Sequence, residues 1–260
     1  AGFEGKICVL IDEYDHFANR MIFSGLGKEY ESAVRGTGFI RQFFTTLKAL
    51  TSDKIKRIFM TGILPILLND ITSGFNISKS VTKDVVYQGL MGFTPAEVKH
   101  LLHELDLYSD EIFSRINLLY NGFMFADSPN MDTPKVYNSQ MVLSFIDTLS
   151  NTGNIPVDIV DSTFLSDKNK FDFLKRNPKN IEQIFQILES QTYASTYRQV
   201  LDLDEIFNSS NLTTVLFHFG LLTFHEYSST AVLYKIPNSA MKQLYYEYFK
   251  EILMESSRSE

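Results

Sequence analysis

Two adjacent carboxylates, Asp12 and Glu13, follow the apolar run Ile7-Cys8-Val9-Leu10-Ile11. A run of that length, rich in β-branched residues, reads as a strand buried on both faces, and the acids fall where it would leave its sheet. Successive strand side chains diverge. One carboxylate can therefore hold a divalent metal ion while its neighbour polarises a water for attack on a phosphoryl group. A second run, Lys54 to Gly62, ends in Phe59-Met60-Thr61-Gly62 and puts a hydroxyl at another strand end. Asp12 is thus the candidate metal ligand, Glu13 the candidate base and Thr61 the candidate polar partner. A strand that merely meets a turn at acidic residues would read the same over residues 6–15, and it is the second strand that favours chemistry.

The elements that must position these groups come next. Phe39, Ile40, Phe43, Phe44, Leu47 and Leu50 recur at helical spacing, which predicts a helix over 38–50 linking the two strands as a right-handed crossover. Parallel strands place their carboxyl ends at one sheet edge, so Asp12, Glu13 and Thr61 should share that edge. The arrangement is that of a Walker B strand beside a sensor strand. Within Phe23 to Tyr30, Gly25-Leu26-Gly27-Lys28 lacks the G-x-x-x-x-G-K-[ST] spacing and no buried strand precedes it, so the stretch 23–30 reads as a mobile loop.

Residues 63–70 read as a helix start with Pro65 in the first turn, and Val85-Val86-Tyr87 as a last short strand. Thr94, Pro95 and Glu97 have the types expected at N-cap, N1 and N3 of a helix. Beyond Tyr108 the pattern is mainly helical: 110–120, a helix after Asn138 through Ile146, and one after Asn177-Pro178. Leu221 to His225 and Ala231 to Ile236 read as a β-hairpin, and Asn238 as the cap of a last helix. Helices followed by a hairpin resemble a winged-helix unit, whose wing either binds DNA or packs on a neighbour.

Composition narrows the partners. With 260 residues, 44% hydrophobic and 21% charged, the chain reads as an ordinary globular protein, and its net charge of −7 argues against broad electrostatic binding to nucleic acid. That balance favours packing for the wing, with nucleic acid left open as a partner. The lone cysteine, Cys8, reads as a small core residue, and a single cysteine excludes internal disulfides. A reducing, cytoplasmic location is the expectation. No apolar run approaches the roughly 18 residues of a membrane span. The start at Ala1-Gly2-Phe3, a few residues before a strand, reads as that of a fragment or processed product.

Several blocks taken in order resemble the AAA-ATPase-like family: Leu10-Ile11-Asp12-Glu13-Tyr14-Asp15, Phe59-Met60-Thr61-Gly62, Ser73-Gly74-Phe75-Asn76, Gly92-Phe93-Thr94, Tyr120-Asn121-Gly122-Phe123-Met124-Phe125, Val136-Tyr137-Asn138, Gly220-Leu221-Leu222-Thr223 and Ile236-Pro237-Asn238. The resemblance implies an amino-terminal P-loop lying upstream of residue 1, this ATPase half, a helical and winged-helix region and often a nuclease-like domain of the restriction-endonuclease type. By it Asp12 becomes the Mg²⁺ carboxylate, Glu13 the catalytic base and Thr61 the sensor-like group, with ATP and Mg²⁺ as cofactors. The chain departs from the family at Phe17, where proline is usual, and at Leu64-Pro65-Ile66, where a serine-containing stretch is usual.

The fold expected is α/β: a partial P-loop NTPase-type parallel sheet with helices in residues 1–105, then a mainly helical, winged-helix-like region in 106–260. Other polar residues read as structural: His16 as a loop histidine, His100 and His103 without a third ligand pattern, Arg35 and Arg41 as solvated charges. The aromatic run 245–249 reads as core packing and a contact surface for a nuclease-like domain. The leading function is a Mg²⁺-dependent ATP switch, inactive in this stretch alone without its phosphate loop. The alternative is a non-catalytic scaffold for protein or nucleic-acid interaction, and a nuclease using Asp12, Glu13 and Asp15 is the poorer third. A homo-oligomer is a further expected partner, and a membrane is not.

Overall fold

The structure is a computed structural model that describes residues 6–65, 75–127, 132–160, 177–199, 201, 205–227 and 231–257. The chain divides into two compact units, residues 1–79 with 198–219, and residues 80–197 with 220–260. Residue 105, where the sequence reading places a boundary, lies inside the second of these.

In the first unit, β1 (Ile7–Ile11) is followed by α1 (His16–Phe23), α2 (Gly27–Val34), α3 (Phe39–Leu50) and β2 (Ile55–Met60). The two strands pair in parallel, with Leu10 opposite Phe59 and Ile11 opposite Met60. The crossover thus holds three helices, and α3 lies where its apolar period placed it. The loop expected over residues 23–30 is shorter than read, because α1 runs to Phe23 and α2 already begins at Gly27. Gly25, at φ 77°, closes α1, and Leu26 N–H donates to the Met21 carbonyl at 2.9 Å. Such a left-handed residue is a common helix stop and leaves the chain free to start another helix at once.

The expectation that β1 is buried on both faces fails. Leu10 is 79% exposed, Ile7 46%, and Cys8 is exposed as well, not a core residue. Alternation explains it: Val9, Ile11, Ile58 and Met60 are half-buried, whereas Cys8, Leu10, Arg57 and Phe59 lie on an open face. A parallel sheet is dry on both sides only where helices cover both, and here the buried side chains gather among the helices instead. Ala18, Tyr30, Val34 and Phe44 form that core with Leu64 and Phe75, the Phe44 and Phe75 rings meeting edge to face at 5.1 Å. A short carboxy-proximal helix, α8 (Leu212–His218), belongs to the same unit.

The second unit starts with a 3₁₀ helix, Val85–Met91, where a short strand is expected from sequence. A local cap and a tertiary anchor override the β-branched propensity. The Asp84 carboxylate accepts from Val86 N–H at 3.0 Å, and the buried Gln88 amide donates to the Phe123 carbonyl and accepts from the Phe125 and Ala126 N–H groups. Helix α4 (Pro95–Glu104) has the capping box read in the sequence, with Thr94 and Glu97 bonded reciprocally.

Helices α5 (Asp110–Tyr120), α6 (Ser139–Thr152) and α7 (Pro178–Glu189) begin after the caps Ser109, Asn138 and Asn177, and α6 runs past the expected end at Ile146 to a left-handed Gly153. The hairpin is β4 (Thr223–Tyr227) with β5 (Val232–Lys235), and β3 (Tyr193–Ser195), not foreseen, pairs with β5 to make an antiparallel sheet ordered β3-β5-β4. Three residues give too short a hydrophobic pattern to be read as a strand. Helix α9 (Ser239–Ser257) closes the unit behind its Asn238 cap. The fold is thus mixed α/β, with one small parallel and one small antiparallel sheet. Among the described residues no helix is long and apolar enough to cross a membrane. The helix start expected at 63–70 is non-helical through Pro65, and its remainder lies outside the described residues.

Candidate functional site

Parallel pairing carries both strands to one edge, and the ladder continues past their ends. Thr61 N–H donates to the Ile11 carbonyl and Tyr14 N–H to the Thr61 carbonyl, each at 2.9 Å. Residues 12 and 61 are thereby side by side. The Thr61 hydroxyl donates to Asp12 Oδ1, which also accepts from Glu13 N–H at 3.0 Å. Among the described residues nothing bonds Asp12 Oδ2, and the side chain is exposed.

Glu13 has a left-handed backbone, φ 47°, an uncommon state for a residue with a Cβ. Its carboxylate lies 3.3 Å from His16 Nδ1, and both side chains are exposed. The structure therefore brings Asp12 and Thr61 into contact, while Glu13 leaves the same strand end and faces its own helix start. His103 is stacked on Tyr108 at 4.0 Å, Arg35 pairs with Glu31 at 3.4 Å, and neither joins this edge. A depression of 350 Å³ lined by Phe17, Ser32 and Gly38 among others contains none of the three candidates.

Asp15 is the residue whose role the sequence concealed. It is 1% exposed. Its carboxylate accepts from Leu64 N–H at 2.6 Å, from Ile63 N–H at 3.0 Å and from the Asn19 amide at 2.6 Å. A buried carboxylate is costly unless hydrogen-bonded in this way. Tyr14 adds a bond from its hydroxyl to the Leu64 carbonyl at 3.1 Å, and burial together with the Asp15 charge pushes its pKa above the usual tyrosine range. The only hint in the chain was an acid immediately before a helix, which reads equally well as an ordinary cap.

In α8 the His218 imidazole is only half-buried, yet dense packing lowers its pKa to about 4, the Ile63 backbone opposing that shift. The sign of the pH effect follows. An unfolded histidine takes up its proton near pH 6.5, well above the folded one, so the unfolded state binds more protons between the two values. Stability from this group should be complete above about pH 6.5 and lost as pH falls toward about 4. Urea midpoints measured from pH 7.5 down to 4.5 should decline, with a flatter acid limb in His218→Gln.

Residues 2–72 match the model of the AAA-ATPase-like family, described as a predicted AAA-ATPase. The AAA-ATPase-like stretch contains β1, β2 and the Asp12–Thr61 contact. No curated protein and no solved structure matches the chain. The resemblances noted from Ser73 onward lie outside the matched residues.

Proposed function

We propose that the AAA-ATPase-like stretch is the metal-binding and water-activating part of a Mg²⁺-dependent ATP switch. The observation that carries this reading is the Thr61 hydroxyl bonded to Asp12 across adjoining parallel strand ends, inside the matched residues. Asp12 meets the metal through its open oxygen, Glu13 takes a proton from the attacking water, and Thr61 responds to the terminal phosphate.

The donor set suits Mg²⁺. That ion commonly takes one or two carboxylates and completes its shell with water and substrate phosphates, so a single exposed carboxylate is enough. Among the described residues no group of three or more His, Cys, Asp and Glu side chains is placed to hold a metal, which fits a site shared with nucleotide better than an all-protein cage. Bound Mg²⁺ would neutralise charge developing on the phosphate oxygens. The chain's own groups then orient the ion, hold the strand end and accept the proton. For Glu13 this requires its carboxylate to swing off His16, a surface pair that costs little to break. In this reading residues 1–105 are the back half of the ATPase domain and 106–260 its helical lid and winged-helix-like region.

The reading needs a phosphate cradle of G-x-x-x-x-G-K-[ST] spacing, which residues 1–260 do not contain, so the test uses the natural-length protein. Phosphate release from ATP, abolished by removing Mg²⁺, is the expected result. The absence of both hydrolysis and Mg-ATP binding would overturn it in favour of a non-catalytic scaffold.

A further inference from the structure

The chain enters the second unit at Ser80, leaves it at Tyr197 and returns to it at Gly220. Close to the entry and the exit, one ammonium group holds a cluster together. Lys83 Nζ lies 3.1 Å from Asp127 Oδ2, 4.8 Å from the centre of the Tyr197 ring and 5.3 Å from that of Tyr227. Both tyrosine rings meet the buried Phe224 edge to face, at 5.6 and 6.1 Å. Lys83 and Asp127 are joined twice, because Asp127 N–H also donates to the Lys83 carbonyl at 3.2 Å.

The pair differs from an ordinary surface one. The Lys83 side chain is 18% exposed and that of Asp127 33%, so water screens them less, and a cation beside two aromatic rings is held more firmly once it is largely out of solvent. Burial first, then the neighbouring Tyr227 and Asp127, raise the pKa of the Tyr197 hydroxyl above the usual tyrosine range and keep that ring neutral. Taking away the ammonium alone would strand a partly buried carboxylate.

Neither end of the stretch is fixed by a ladder. Lys83 lies in a turn and Tyr197 lies beyond the end of β3 at Ser195, whereas Tyr227 is the last residue of β4. We propose that Lys83, Asp127, Tyr197 and Tyr227 form a conformational clasp, which pins the entry and the exit of residues 80–197 to the tip end of the β4–β5 hairpin so that they loosen together. A disturbance at the hairpin tip is thereby relayed to both ends of that stretch. All four residues belong to the second unit, so the clasp stands apart from the ATP-switch reading.

The test compares the full chain with its Lys83→Met, Lys83→Arg and Tyr227→Leu variants. Methionine keeps a long side chain without the charge, arginine keeps the charge, and leucine removes a ring that is 42% exposed. In Lys83→Met, chymotryptic cleavage after Tyr197 and hydrogen exchange of the Asp127 amide should both rise about tenfold, and in Lys83→Arg both should return to within about twofold of wild type. The Val98 amide, bonded to the Thr94 carbonyl within α4, should keep its rate throughout and so separate the clasp from global loosening. Tyr227→Leu should raise the same two rates by a smaller common factor, and this arm decides the matter should Lys83→Met fail to fold. Faster exchange at Asp127 with unchanged cleavage after Tyr197 would reduce the cluster to a local ion pair and overturn the clasp. Folded variants in which neither rate moves would overturn it as well.

Discussion

Glu13→Gln in the natural-length protein is expected to slow ATP hydrolysis about 10²- to 10⁴-fold while Mg-ATP binding stays within about twofold. Glutamine keeps the size of the side chain and its capacity to accept a hydrogen bond, but it cannot take a proton from water. The structure makes this substitution a clean one. The Glu13 side chain is exposed and, among the described residues, bonds only at the surface, to His16, so its replacement leaves no buried partner there unmet. The Asp12–Thr61 contact does not pass through the Glu13 side chain, which leaves the metal carboxylate in place. Single-turnover hydrolysis, measured beside equilibrium binding of Mg-ATP, separates the two effects. A variant that hydrolyses at the wild-type rate would remove Glu13 from the chemistry and leave the proton to another base.

Gly62→Ala should be the most damaging single methyl addition near the site. A Cβ there would sit 2.5 Å from Tyr14 Cε1 and closer still to Asp15 Oδ1. Flexible neighbours absorb such contacts cheaply, but these two are not free to move. Asp15 is buried with its oxygens committed to Ile63, Leu64 and Asn19, and Tyr14 is tied to the Leu64 carbonyl. Overpacking of this kind costs about 1–3 kcal/mol, and forcing Asp15 off its donors adds the penalty of unmet buried polar groups. A loss of about 3 kcal/mol, or roughly 6–12 °C in the melting temperature, is the expected result. A melting temperature within about 1 °C of wild type would mean that the turn relaxes freely.

Read from residues alone, the chain determined much of what is local. Phe39 to Leu50 form a helix because their apolar side chains recur on one face, and Thr94 with Glu97 caps α4 because the spacing lets each side chain reach the other's backbone. The placement of Asp12 beside Thr61 was legible too. Two short strands joined by a helical crossover pair in parallel, and parallel pairing sends both ends to one edge.

What the tertiary structure decided concerns environment and partners distant in sequence. Apolar content in β1 could not say that Leu10 faces outward, since burial depends on what covers each face of a sheet. Val85-Val86-Tyr87 have strand-forming side chains, yet Gln88 fixes them in a 3₁₀ helix by bonds to a segment about 35 residues on. Asp15 looked like one more acid in a cluster, and only the return of β2 beside it revealed a buried anchor for Ile63 and Leu64. No local period or spacing encodes a contact that exists only once both segments have packed.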